Sequence, residues 1–353
     1  MIAKLIRNAY EAGLTMTAVL LCWAAALALE GAAGLHTDVL VLAVALTLTL
    51  AATQRTAGTR RRLMSLVVLP LTATASIFVG RLLASHYTAG AAAYTAGMTL
   101  AIWIRRYGPV GTKAGTLLAL PLVALLVVPG PALPAEAQSG LVTWGWSALI
   151  GVIACCSVWL VQALGDRYGP WRAEPVPDPP PRRSRLHPRP STRMALQMAA
   201  AIAAAFTLGH LLFDGHWPWA VLTAYVAASG NRGRTDVLRK GVERLAGACI
   251  GTLLATAVAE AGVTGHTAVA LMFAVLTVAL WLRPLNYAYW AAGVTTALSL
   301  LLGYFGQNAE SLLPTRLAAI AVGAALSVAS AWWLLPVPRR RTGARPDVRP
   351  SEA

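Results

Sequence analysis

Acidic side chains are scarce in this 353-residue sequence, which carries 14 Asp and Glu against 29 Lys and Arg. None lies near the middle of an apolar segment: Glu11, Asp38, Asp214, Glu260 and Glu310 all fall near segment ends. A buried carboxylate relay, the usual proton route of a coupled transporter, is therefore missing. No Gly-x-x-x-x-Gly-Lys-Ser/Thr loop occurs, which removes a nucleotide-driven engine of that type. Cysteine is rare too. Cys22, Cys155, Cys156 and Cys249 lie inside apolar runs without metal-ligand spacing, and they read as small buried hydrophobes instead of a disulfide framework. No block interleaves aromatics with Lys and Arg, so the formal net charge of +15 does not mark a nucleic-acid platform. Period-two alternation is absent, and with it the signature of a closed β-barrel.

What abounds is apolar surface. With 57% hydrophobic and 12% charged residues, the chain is too apolar for an ordinary soluble domain. The apolar sequence divides into twelve segments of membrane-spanning type, at about 12–32, 38–53, 63–83, 88–104, 112–130, 141–164, 194–213, 216–230, 245–262, 266–282, 286–305 and 315–336. The expected fold is an all-α integral membrane protein. Trp144 and Trp146, Trp217 and Trp219, and Trp332 and Trp333 fall near predicted helix ends, where amphipathic rings anchor at the bilayer interface.

Charge placement predicts orientation. With the amino end on the cytoplasmic side, 27 of the 29 Lys and Arg residues fall on that side, leaving Arg81 and Arg316 opposite. Basic residues are retained on the cytoplasmic face during insertion, so both termini are expected inside, in an inner or plasma membrane. Glu30, Asp38, Glu136, Asp214, Glu260 and Glu310 then lie outside. The first thirty residues resemble a signal peptide in outline, with Lys4, Arg7 and Ala26-Leu27-Ala28. The long apolar run, followed at once by another segment with the correct charge alternation, favours an uncleaved first helix.

Composition changes abruptly between Gly165 and Arg193, where Pro and Arg crowd together, as expected of an extended cytoplasmic spacer. The domains expected are a degenerate first six-helix repeat at 1–164, the linker at 165–193, a second six-helix repeat at 194–336, and a basic tail at 337–353. Trp103-Ile104-Arg105 aligns with Trp281-Leu282-Arg283 at an offset of 178, and Arg62-Leu63 with Arg244-Leu245 at 182. Gly151 aligns with Gly323 at 172. Six spans per half give the halves the same orientation, hence a pseudo-two-fold axis along the membrane normal.

The second segment of each half is short, and matching short or interrupted segments in two repeats point to a substrate cavity; a tilted or locally thinned crossing also accounts for them. The richer copy runs His216-Trp217-Pro218-Trp219, then Thr223, Tyr225 and Ser229, with Tyr225 and Ser229 on one helical face. A basic stretch follows and leads into Arg244. Gly247 and Gly251, four apart, let a neighbouring helix approach closely, and Arg244 one turn earlier is expected to point into the bundle. The last segment repeats the pattern, with Arg316 ahead of Gly323, Ser327 and Ala331.

On these residues the second half resembles the fusaric-acid-resistance (FUSC) or aromatic acid exporter family, in a short form without a large soluble domain. The resemblance rests on the Arg-led helix from Arg193, the stretch His216 to Thr223, the basic loop before Arg244-x-x-Gly247-x-x-x-Gly251, and Arg316…Gly323…Pro336. It is weak in the first half, where Ser65 and Leu69 replace the glycines and Trp144 replaces Arg316. The resemblance implies two six-helix repeats and export of aromatic carboxylates and related toxic compounds. The function expected is efflux of an aromatic or other organic anion, without a cofactor, metal or catalysis. Arg244 and Arg316 are the expected charge partners, with Trp219, Tyr225, Tyr287 and Trp290 stacking on the substrate. Gly247, Gly251, Gly323 and Ser327 are expected to pack helices. Membrane lipids are partners, nucleic acid is not, and a homo-oligomer stays open.

Three rivals stand beside this reading. One is a passive organic-anion channel of the same type. A different 6+6 transporter of the major facilitator class is disfavoured because Gln54–Arg62 lacks the expected acid. An integral membrane enzyme would need paired acids or a His/acid constellation. Five of the six His (His36, His86, His210, His216, His266) map to the outer side without ligand spacing, which reads as interfacial hydrogen bonding.

Overall fold

The computed structural model describes residues 2–33, 38–55, 59–127, 140–171, 190–229, 233–263, 265–304 and 313–334. Among the described residues there are twelve α-helices and no strand. They are α1 (Ile2–Ala33), α2 (Asp38–Gln54), α3 (Thr59–Ser85), α4 (Tyr87–Trp103), α5 (Pro109–Val127) and α6 (Gly140–Tyr168), then α7 (Pro190–Phe213), α8 (Trp217–Ala228), α9 (Arg234–Glu260), α10 (Gly265–Leu282), α11 (Tyr287–Tyr304) and α12 (Leu313–Trp333). Short 3-10 turns, Ile104–Tyr107 and Asp214–His216, follow α4 and α7. Among the described residues seven helices are long and apolar enough to cross a membrane: α1, α3, α6, α7, α9, α10 and α12. Large side chains such as Leu211, Leu253 and Val67 stand exposed on their outer faces, as suits surfaces solvated by lipid. This is a multi-pass helical membrane protein.

Several helices run past their expected bounds. α1 starts ten residues early, because nothing between Ile2 and Tyr10 breaks a helix and a basic end can enter the headgroup layer. α7 begins inside the linker, at Pro190, where proline is at home in a first turn. The basic stretch before Arg244, expected as a loop, is the helical start of α9. Gly233 ahead of it adopts φ 150°, and Asp236 sits in the first turn, where a carboxylate favours the helix dipole. Two pairs spaced i,i+4 then carry the helix inward: Lys240 Nζ to Asp236 at 3.3 Å and Arg239 Nε to Glu243 at 2.7 Å. Residues 172–189 of the linker and the tail 337–353 lie outside the described residues.

Helix pairings recur between the halves. α1 packs on α2 and α6 as α7 does on α8 and α12; α3 packs on α5 and α6 as α9 does on α11 and α12; α4 meets α5 as α10 meets α11. One close approach recurs at the offset already found for the Trp-x-Arg pair: Gly115 lies against Ala101, and Gly293 against Ala279. The Gly151–Gly323 correspondence is looser, since Gly151 faces Pro70 of α3 whereas Gly323 faces Ala220 of α8. Three helix pairs join the halves among the described residues: α4 on α7, α1 on α10 and, less extensively, α5 on α8. At the first, Tyr87 stacks on His210 at 4.1 Å and donates its hydroxyl hydrogen to the Phe206 carbonyl at 2.8 Å. The main core spans this seam, with Tyr94 and Met98 of α4, Ile202 and Phe206 of α7, Val221 of α8 and Ile320 of α12.

Candidate functional site

The site is built around α8. Its 12 residues cover about 18 Å, well short of the roughly 30 Å hydrocarbon layer. Pro218 opens it, and nearly every residue from Pro218 to Ala228 is buried among α7, α9 and α12. α12 can lie this close because it presents almost no side chain: a Cβ at Gly323 would collide with the Ala220 carbonyl. One turn on, Ser327 Oγ donates to the Ala224 carbonyl at 2.8 Å. α9 and α11 are locked in the same way. A Cβ at Gly247 would lie 2.6 Å from the Ala288 oxygen, and one at Gly251 would strike the Ala292 carbonyl and lie 2.8 Å from Thr295 Cβ. All four packing residues named from the sequence thus sit at close helix contacts. Without a hydrophobic drive between helices in lipid, such backbone approach carries much of the association.

Inside this frame lie two buried arginines. Arg316 is 5% exposed and Arg244 3%. The Arg316 guanidinium covers the face of Trp219, 3.9 Å from the ring centroid. It donates from Nη1 to Ser299 Oγ at 2.7 Å and, more weakly, from Nη2 to the Thr295 carbonyl at 3.4 Å. Arg244 lies against the Tyr287 hydroxyl, and the two arginines are near enough for their charges to interact. Among the described residues neither meets a carboxylate: Glu243, beside Arg244 in sequence, is paired with Arg239, and Asp236 with Lys240. Burying an arginine in a membrane helix costs about 2.5–3.5 kcal/mol on insertion scales, so two without a counter-ion are expensive. Asp214 and Glu310, the other acids considered as partners, have no described side chains.

The remaining polar atoms around the pair are short of partners as well. The Nε groups of both arginines and the hydroxyls of Thr223, Thr252 and Thr295 are buried without a hydrogen bond among the described residues. Thr223 is one turn beyond Trp219 and shares its face of α8. Thr295 and Ser299, not singled out from the sequence, supply Arg316 with its acceptors; hydroxyls one turn apart inside an apolar helix were the available signal. The interior of α8, α9, α11 and α12 is thus lined with fixed positive charge and unused donors, which suits an anion.

Not every expected residue joins this group. Tyr225 points elsewhere: it interacts with Arg105 of the turn after α4 and lies near Tyr94. Ser229 is no extension of the Tyr225 face, because α8 ends at Ala228, Ser229 is extended, and its hydroxyl caps the Val226 carbonyl at 2.9 Å. Trp219 is no interfacial anchor; it is 7% exposed, held inside by Arg316. Trp217 packs on Phe206 and Tyr87. Trp290 stacks under Arg283 at 5.2 Å, and Arg283 in turn interacts with Tyr287. Among the described residues no three His, Cys, Asp or Glu side chains come together as a metal site.

The fold is thus that of a polytopic helical membrane bundle with two buried arginines in its interior. Residues 199–330 match the family described as fusaric acid resistance protein-like, which supports the resemblance read from the sequence over that stretch. The match takes in Trp219, Arg244, Gly247, Gly251, Arg316 and Gly323. Comparison with curated proteins and with solved structures gave no match.

Proposed function

We propose that this protein is a secondary exporter, or permease, that moves organic anions outward across the inner or plasma membrane. The observation that carries the reading is the pair of buried arginines, Arg244 and Arg316, mutually repelling and without a carboxylate among the described residues. A bound carboxylate is the simplest partner for both. We read the twelve helices as twelve crossings in two parallel repeats with both termini cytoplasmic; the recurring pairings and the shared 178-residue offset of Gly115 and Gly293 support this.

In that orientation Arg283 and Trp290 border the cytoplasmic mouth, and basic residues there raise the local anion concentration. Arg244 with Tyr287 forms the next station, and Arg316 with Trp219 the outer one. Trp219 keeps the Arg316 fork oriented while leaving Nε free to donate; an aromatic substrate ring would stack against the same apolar walls. An inside-negative potential drives a monovalent anion outward by about 2.3 kcal/mol per 100 mV, so no carboxylate relay is required.

The decisive experiment is uptake of a panel of aromatic and aliphatic carboxylates into inside-out vesicles, with and without a pH gradient. Saturable uptake of aromatic acids that follows membrane potential supports the proposal. Non-saturating currents would replace it by the channel reading, and absence of anion movement for every acid would reject it. Cysteine reporters test the topology: positions 134–138 and 307–309 should label from outside, and 178–185 and 345 only after permeabilisation.

A further inference from the structure

The seam between α4 and α7 is not closed on its outer surface. A groove of about 770 Å³ runs along it, lined by small residues including Ala92, Thr95, Ala96, Thr99, Ala203 and Thr207. Three of its four threonines add little polarity: Thr95, Thr99 and Thr207 each donate to the carbonyl four residues back, at 2.7, 2.6 and 3.1 Å. The wall is therefore largely alkyl, and it runs from Tyr87 to Trp103, about 24 Å along the helix. At the Trp103 end the chemistry changes. The Arg106 guanidinium lies over the Trp103 ring at 4.6 Å and near Tyr107 at 5.5 Å. Arg193 stands in the first turn of α7, the helix on which the turn Ile104–Tyr107 packs.

The α1–α10 seam is packed differently, with bulky aromatics at its contacts. The position 178 residues after Thr95 is Phe273, whose ring meets Trp23 edge-on at 5.5 Å. Nearby, Trp281 Nε1 donates to the Leu5 carbonyl at 3.0 Å. Bulky aromatics fill one seam with protein, whereas alanine and threonine leave the other to be filled from outside.

We propose that the α4–α7 groove is a binding site for an anionic phospholipid of the leaflet that borders Ile104–Tyr107. One acyl chain lies between the alanine faces of α4 and α7. The phosphate sits beside Arg106 and Arg193, where Trp103 marks the interface. Basic pockets between membrane helices hold acidic headgroups by this combination of cation and alkyl cleft. The inference does not depend on the transport reading, because it uses neither Arg244 nor Arg316.

The test is native mass spectrometry of the full-length protein released from detergent with equal amounts of phosphatidylglycerol and phosphatidylcholine. The wild type should retain one phosphatidylglycerol at least fivefold over phosphatidylcholine. Arg106→Gln should erase that preference, and Ala203→Phe, at an exposed groove position, should remove both lipids. Leu211→Phe, exposed on the same helix but outside the groove, should change neither. If Ala203→Phe fails to insert, Ala96→Leu fills the same cleft with less bulk. Equal retention of the two lipids, or a preference that survives both groove and charge variants, overturns the proposal. So would a dimer that Ala203→Phe dissociates, since a second copy would then be the occupant.

Discussion

Arg62 and Arg244 align in sequence, Arg62 in the first turn of α3 and Arg244 about three turns into α9, and they meet opposite surroundings. Arg62 shares Asp166 with Arg55, at 3.9 and 2.7 Å, and Arg55 also donates to the Trp171 carbonyl at 3.2 Å. Tyr10 ties the same corner together by donating to the Gly165 carbonyl at 2.9 Å. Arg244 has no acid among the described residues and is instead held under Tyr287 inside the bundle. The neighbouring positions differ in the same sense. Ser65 and Leu69 fill the interior of the first half, whereas Gly247 and Gly251 bring α11 against α9. In one half the arginine's charge is spent on holding the fold together; in the other the fold is drawn tight around a charge that stays available. On the proposed two-repeat reading, the first half would serve as the scaffold for a working second half.

The sharpest way to break this contrast is at the buried pair. Arg316→Gln or Arg244→Gln should lower anion export at least tenfold while leaving the inserted amount unchanged, and Lys should rescue only in part, since a point charge lacks the guanidinium fork. Arg62→Gln should leave transport within about twofold, because its 3.9 Å contact with Asp166 is long and partly open to solvent. Flux measured in vesicles at matched protein abundance decides it. Wild-type export by both Arg316→Gln and Arg244→Gln would remove these residues from the mechanism.

The second contrast is steric. Gly251→Leu and Gly247→Leu should destabilise the protein by about 1–3 kcal/mol or more, because the added side chain meets backbone of α11 that cannot move aside. The same helix in the first half already carries Leu69 at the matching place, so Leu69→Ile should cost less than about 1.5 kcal/mol. Thermal unfolding in detergent, followed by fluorescence-detected size exclusion, ranks the variants. Equal midpoints would mean that the glycines do not set the helix spacing.

The third is aromatic. Trp219→Leu removes a cation–π contact worth about 0.5–2 kcal/mol, so apparent affinity for the anion should fall by roughly 2–30-fold. Trp219→Phe should recover most of the loss. A Trp219→Leu protein with unchanged affinity would reduce the ring to packing.

Much of this was legible in the sequence because membrane physics writes it locally. Twelve apolar segments, the brevity of α8, and the glycine spacing of α9 and α12 each follow from residues within a few turns of one another. What stayed hidden depends on which helices become neighbours. Trp219 read both as an interfacial anchor and as a substrate-stacking ring, because its partner, Arg316, lies nearly a hundred residues away. Tyr225 read as part of the site because helical spacing cannot say that α8 turns that face toward Arg105. The start of α9 was lost to its own charge: Arg, Lys and Asp in a row resemble a loop until their i,i+4 pairing is recognised.

The smallest expected effect sharpens the comparison most finely. Asp166 is 32% exposed and faces both Arg55 and Arg62, so it neutralises a corner that water also reaches. Asp166→Asn should therefore cost no more than about 1 kcal/mol of stability, with a loss that shrinks as salt is raised. Export should be unaffected, because the charges it frees lie outside the Arg244–Arg316 interior. A double-mutant cycle of Asp166→Asn with Arg62→Gln, read by thermal midpoint, isolates the pair from the rest of the corner. A coupling near zero leaves Arg55 as the acid's main partner, in line with its shorter contact. A severe loss of export from Asp166→Asn would show the opposite of what the structure implies: that the first half carries working charge, and that the division between scaffold and site is wrong.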